Sequence, residues 1–140
     1  MLKNAFVFAV TSTLVVVAIS QSSAQSSSRT GYREVNLTQF VSQKQISGLT
    51  PNQTAVKLFG YQGEAEGRNA ENVEVKYPAS NTAVIMLTQE GLADDSVNSL
   101  RNRVEMRRTQ NSKWQIIWVG EQTKCQKGRG SQTWTAKPCL

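Results

Sequence analysis

The sequence predicts an α+β domain: one or two short helices near the N-terminus, packed on a four-stranded antiparallel meander and closed by a disulfide-bonded tail. Three observations predict it. A capped segment with an apolar face runs from Thr50 to Gly60. Four strand-like segments follow one another from Val73 to Val119 with short turns between them. The only two cysteines, Cys125 and Cys139, bracket the C-terminal tail. A chain of 140 residues holds one such core and hardly two. At 39% hydrophobic and 19% charged residues, the composition is that of a packed globular domain rather than a disordered chain.

The first residues read as an address. Lys3 supplies the positive start, Ala5 to Ile19 is an uncharged, mostly apolar run, and Ser22-Ser23-Ala24 offers small residues before Gln25. That is the three-part plan of a secretory signal peptide over residues 1–24. The competing reading is a retained membrane anchor. A span needs about 20 predominantly apolar residues, whereas this run has 15 and includes Thr11, Ser12 and Thr13. No cysteine follows it to carry a lipid, and no second apolar run of membrane length exists, so no span is expected after cleavage. Residues 25–34 are expected as a flexible tether and 35–140 as a single domain.

Val35, Leu37, Phe40 and Val41 recur at a spacing that fits a short helix or an extended segment equally. Thr50-Pro51-Asn52-Gln53 is a stronger signal. Thr50 can cap a helix, Pro51 suits its first position, and Gln53 can complete a capping box. Ala55, Val56, Leu58 and Phe59 then form an apolar face, and Gly60 can end the helix. Val73, Val75 and Tyr77 alternate with Glu74 and Lys76, and Pro78 to Asn81 turns the chain. Thr82 to Thr88 is a continuous run, as expected for a strand covered on both faces. Leu100, Val104 and Met106 alternate with Arg101, Arg103, Glu105 and Arg107. After a turn at Thr109 to Ser112, Trp114, Ile116 and Trp118 are expected on one face, with Ile117 and Val119 on the other. Helix first and then a meander is the order of cystatin-like and NTF2-like folds, a fold-level analogy silent about function.

There is no histidine, which removes Ser-His and Cys-His catalysis, His-ligated zinc and His-held haem. Two cysteines cannot build a four-thiolate site, and no cofactor is expected. In an exported chain the even count favours one structural bond between Cys125 and Cys139, whose loop of about 15 residues is worth ~3 kcal/mol in the chain-entropy estimate. Free thiols and pairing between chains are the alternatives. A redox pair would be C-x-x-C.

Charge is uneven. Residues 101–140 carry nine basic and two acidic side chains, residues 25–100 six basic and eight acidic. Inside the cysteine loop, Lys127-Gly128-Arg129-Gly130 with Trp134 is a candidate anion site, because glycines let backbone N–H groups approach a ligand while Lys and Arg add charge. The structural alternative assigns the glycines to the turn and Trp134 to a plug on the sheet. Asp94-Asp95 is a weak candidate for a divalent cation or for acid–base work, set against an ordinary turn and cap. Arg101, Arg103, Arg107 and Arg108 read as a solvated sheet face or as a docking stripe for an acidic partner. Asn36 and Asn52 match the glycosylation sequon, meaningful only in a eukaryotic secretory route.

The segment Gly91 to Val97, the string Trp114 to Cys125, and Gly128-Arg129-Gly130-Ser131-Gln132-Thr133-Trp134 before Cys139 together resemble the ending of a group of small exported cyanobacterial proteins. The resemblance covers about the second half of the chain. It implies a compartment and a shared domain, not a reaction.

The functional expectation is therefore an exported, periplasmic or extracellular, non-enzymatic binding or interaction module. Its ligand or partner would be anionic: an acidic protein, an acidic polymer or a small anion. Export makes nucleic acid a poor partner. The rival from another class is a small carboxylate-dependent hydrolase or lyase built on Asp94 and Asp95. N-terminal sequencing of the mature protein is expected to begin at Gln25; a product beginning at Met1 in the membrane fraction would overturn the cleavage.

Overall fold

The computed structural model describes residues 29–59 and 70–140. The signal peptide, its cleavage site, residues 25–28 of the tether and Gly60 lie outside the described residues. Strand β1 (Arg33–Glu34) is followed by helices α1 (Leu37–Lys44) and α2 (Pro51–Leu58) and strands β2 (Ala70–Ala79), β3 (Thr82–Glu90), β4 (Val97–Arg108) and β5 (Trp114–Cys125). The strands form one antiparallel sheet in the order β1-β5-β4-β3-β2. The class is α+β as expected. The sheet has five strands rather than four, because the two-residue β1 adds to the edge of β5. A strand of two residues shows no alternation and cannot be read from a pattern.

Both helices lie on one face. For Val35 to Val41 the structure resolves helix against extension: Asn36 Oδ1 accepts from Gln39 N (2.9 Å), and Gln45 ends α1 in the left-handed region. At α2, Thr50 Oγ1 accepts from Gln53 N (3.3 Å) and Gln53 Oε1 accepts from Thr50 N (3.0 Å), a complete capping box with Pro51 at the first position. Phe40, Ile46, Ala55 and Leu58 pack onto Ala83, Ile85, Leu87, Val104, Met106, Ile116 and Val119 of the sheet. Helices of eight residues are marginal alone, so this burial holds them.

Two expectations need correction. First, Ile116 and Val119 share the core face although they are three apart, while Trp118 lies on the opposite face. The cause is a β-bulge: between the pairs Glu105–Trp118 and Met106–Ile116, β5 carries the extra residue Ile117, which inverts the alternation. Second, β3 is fully covered on one face only. Ala83, Ile85, Leu87 and Gln89 are buried, whereas Thr82, Val84, Met86 and Thr88 are half-buried on a face that carries no helix among the described residues.

The tail closes one edge of the sheet. Cys125 and Cys139 form the disulfide, with Cα atoms 5.5 Å apart. Thr123 and Thr135 exchange backbone hydrogen bonds (2.9 and 3.0 Å), and Cys125 N donates to Ser131 O (2.7 Å). Further along β5, Val35 N donates to Val119 O and β1 pairs with Gly120 and Glu121. Among the described residues no helix is long and apolar enough to cross a membrane. Thr50→Ala should lower stability by ~1 kcal/mol through loss of the cap; urea melts of the two proteins check it, and superimposable curves would show that the capping box contributes nothing.

Candidate functional site

The sheet face that carries no helix among the described residues presents an array of charged and polar side chains. Antiparallel pairing aligns its outward residues in rows: Lys76, Val84, Glu105 and Trp118; Glu74, Met86, Arg103 and Gly120; Asn72, Thr88, Arg101 and Gln122. The β2, β3 and arginine members of these rows, with Pro78, line an open groove of about 480 Å³.

One wall of this face is built around a buried acid. Glu105 is only 3% exposed. Arg29 donates to its Oε2 from Nε (3.0 Å) and Nη2 (2.6 Å), and Arg103 Nε donates to Oε1 (2.9 Å). Each carboxylate oxygen thus meets a guanidinium, which a buried carboxylate requires. The Arg29 guanidinium also lies 4.8 Å from the centre of the Trp118 ring, and Tyr32 meets that ring edge-on at 6.0 Å. Trp118 lies across Gly120, where a Cβ would overlap the indole. The tether was expected to stay loose through residue 34. From Arg29 onward it is instead fixed by these contacts, by the Arg33–Glu121 ion pair and by β1.

At the other end lies the tail. Trp134 carries the Arg101 guanidinium 4.2 Å from its ring centre and Lys124 Nζ at 4.6 Å. Lys124 has Glu90 at 3.6 Å, Lys76 has Glu74 at 3.0 Å, and Arg103 has Glu105. Among the described residues Arg101 has no acid, and its Nε is buried without a hydrogen-bond partner. The arginine stripe therefore divides. Arg107 and Arg108 are exposed as a solvated face would be, while Arg101 and Arg103 are half-buried in the groove.

The candidates named from sequence fall in three places. Trp134 joins the groove through Arg101. Lys127, Gly128, Arg129 and Gly130 form an exposed turn on the tail, closed by Arg129 N donating to Gln126 O (2.9 Å) and Leu140 N donating to Arg129 O (2.8 Å). Gly128 takes φ +81°, and a Cβ on Gly130 would stand 2.8 Å from Cys125 Sγ, so both glycines have duties in the turn. Asp94 and Asp95 are exposed in the β3–β4 link and do not line the groove. Asp94 Oδ1 accepts from Ser96 N (2.8 Å) and Val97 N (2.6 Å). No three or more His, Cys, Asp or Glu side chains among the described residues group as a metal site would. The residues that sequence reasoning missed are Glu105 and Arg29. The one weak signal was an acid inside an otherwise basic strand.

Comparison of the chain with protein families, with curated proteins and with solved structures returned no match.

The backbone N–H groups of Val97 and Ser96 hold the Asp94 carboxyl below its usual range. A lowered folded value means stability that is present above the unfolded value and lost as pH falls through the folded one. The stability difference between the native protein and Asp94→Ala should therefore be present at neutral pH and shrink below about pH 4. Denaturant melts across that range check it, and a constant difference would contradict it.

Proposed function

We propose that this is an exported, non-enzymatic binding module that takes an anionic group into the groove on the open face of its sheet. The observation that carries the reading is Arg101. Its Nε–H is buried and unpaired, its charge has no acid among the described residues, and its guanidinium lies over Trp134 at the groove's margin. An unsatisfied buried donor costs about 1–3 kcal/mol, and an anion meeting the half-buried guanidinium from the groove would supply charge-assisted bonds in partial compensation. A guanidinium presents a fork that matches a carboxylate, phosphate or sulfate. Contact with the indole holds the guanidinium in place in advance, so less freedom would be lost on binding.

The surroundings support the same chemistry. Thr88 and Asn72 offer a hydroxyl and an amide beside Arg101, and Val84, Met86 and Pro78 supply apolar contact for the rest of a ligand. A groove of about 480 Å³ lies in the range of small-molecule sites. Lys127 and Arg129, exposed on the same tail, add positive potential that draws anions toward this end of the molecule. The signal-like start and the disulfide support an oxidising compartment outside the cytoplasm. The carboxylate-enzyme alternative gains nothing from the arrangement, because Asp94 and Asp95 stand apart from the groove.

Titration with sulfate, phosphate and benzoate, followed by NMR of the Trp134 indole and Arg101 side-chain signals, tests the reading. Both sets should shift together in the native protein. Arg101→Met should weaken binding by at least about tenfold, and Lys127→Ala/Arg129→Ala should weaken it less and flatten its salt dependence. Equal binding by Arg101→Met, or no shift in the native protein, would overturn the assignment.

A further inference from the structure

We propose that the outer edge of β2 pairs antiparallel with the same edge of a second copy, so that one continuous sheet runs through a two-fold dimer. The two edges of the sheet are unequal. The outer side of β5 is occupied by Val35, by β1 and by the tail at Thr123 and Cys125. β2, ten residues long, has β3 on one side and no strand on the other among the described residues. An unpaired strand edge presents a row of backbone donors and acceptors that another strand can complete.

The sequence of β2 fits itself in one register. With the two-fold axis perpendicular to the sheet and passing through Val75, Glu74 of each copy faces Lys76 of the other. Val75 faces Val75, and Val73 faces Tyr77. Charges then complement one another on the groove face, and apolar side chains meet on the helix face. Moving the axis by one residue sets Glu74 against Glu74 or Lys76 against Lys76, which like-charge repulsion disfavours. Within each copy Glu74 and Lys76 are already 3.0 Å apart, so pairing can exchange those two intracopy contacts for two between copies. Pro78, at the bulge after Lys76, has no N–H and marks where pairing stops.

A second observation lies above the strand. Asn52, Val56 and Phe59 share one flank of α2 by their i, i+4, i+7 spacing. Asn52 Oδ1 accepts from the hydroxyl of Tyr77 on β2 (3.1 Å), so this flank is the one joined to the edge strand. Val56 is 75% and Phe59 55% exposed. α2 packs over both β2 and β3. With strands ~4.8 Å apart, two such helices related by the axis stand about 10 Å apart, the distance at which helices pack through their side chains. The second copy would cover the exposed valine and phenylalanine. The pairing does not depend on what the groove binds, although it would set two grooves side by side.

Sedimentation velocity over a dilution series, with far-UV circular dichroism to confirm folding, tests the proposal by charge exchange. Glu74 and Lys76 are exposed, so substitution should leave the fold intact. The native protein should be a dimer that dissociates on dilution. Lys76→Glu and Glu74→Lys should each raise the dissociation constant at least about tenfold, and Glu74→Lys/Lys76→Glu should restore it. Arg101→Met should stay dimeric, so loss of anion binding and loss of pairing read out separately. A native protein that is monomeric throughout, single variants that dimerise unchanged, or a double variant no better than the singles would each overturn it.

Discussion

The arrangement of the open sheet face follows from one buried carboxylate. Glu105 sits on β4 opposite the hydrophobic core, almost without solvent, and must be matched by positive charge to remain there. Arg103 comes from two residues along the same strand. Arg29 comes from 76 residues earlier in the chain. Recruiting Arg29 lays the N-terminal segment across β5, and from that placement follow the edge-on contact of Tyr32 with Trp118 and the short β1. Gly120 fits the same frame, since the indole lies where any side chain would stand.

Satisfying Glu105 also decides which cation is left over. Arg103 is engaged with the acid and Lys76 with Glu74, while Arg101 has Trp134 for company and, among the described residues, no carboxylate. The disulfide and the Thr123–Thr135 bridge hold the tail so that Trp134 stays against Arg101 and Lys124. Arg101 and Lys124 gather on one indole, with Glu90 beside Lys124, so the charge left unmatched there among the described residues is that of Arg101.

What the sequence revealed and what it hid divide by range. Thr50, Pro51 and Gln53 announce α2 because a cap is made within four residues, and the structure reproduces it atom for atom. The alternation of β4 and the cysteine spacing were legible for the same reason. The bulge at Ile117 was not, because one inserted residue leaves composition unchanged while inverting the faces on which Ile116 and Trp118 stand. The Glu105 cluster was hidden because its partners lie far apart in sequence, and an acid amid arginines on a strand looks like any solvated face. Trp134 was singled out from sequence with the turn at Lys127 to Gly130; its contacts with Arg101 and Lys124 depend on where the tail crosses β4 and β5, which no local pattern encodes.

A double-mutant cycle between Arg29→Met and Glu105→Gln tests the central claim most directly, because it isolates the contact across which the N-terminal segment is tied to the sheet. The account predicts a coupling of at least about 1 kcal/mol, as befits a paired buried acid. It also predicts that each single variant loses the ring-current shifts between Tyr32 and Trp118. Effects that add to within about 0.5 kcal/mol, with the Tyr32 and Trp118 signals unmoved, would contradict it.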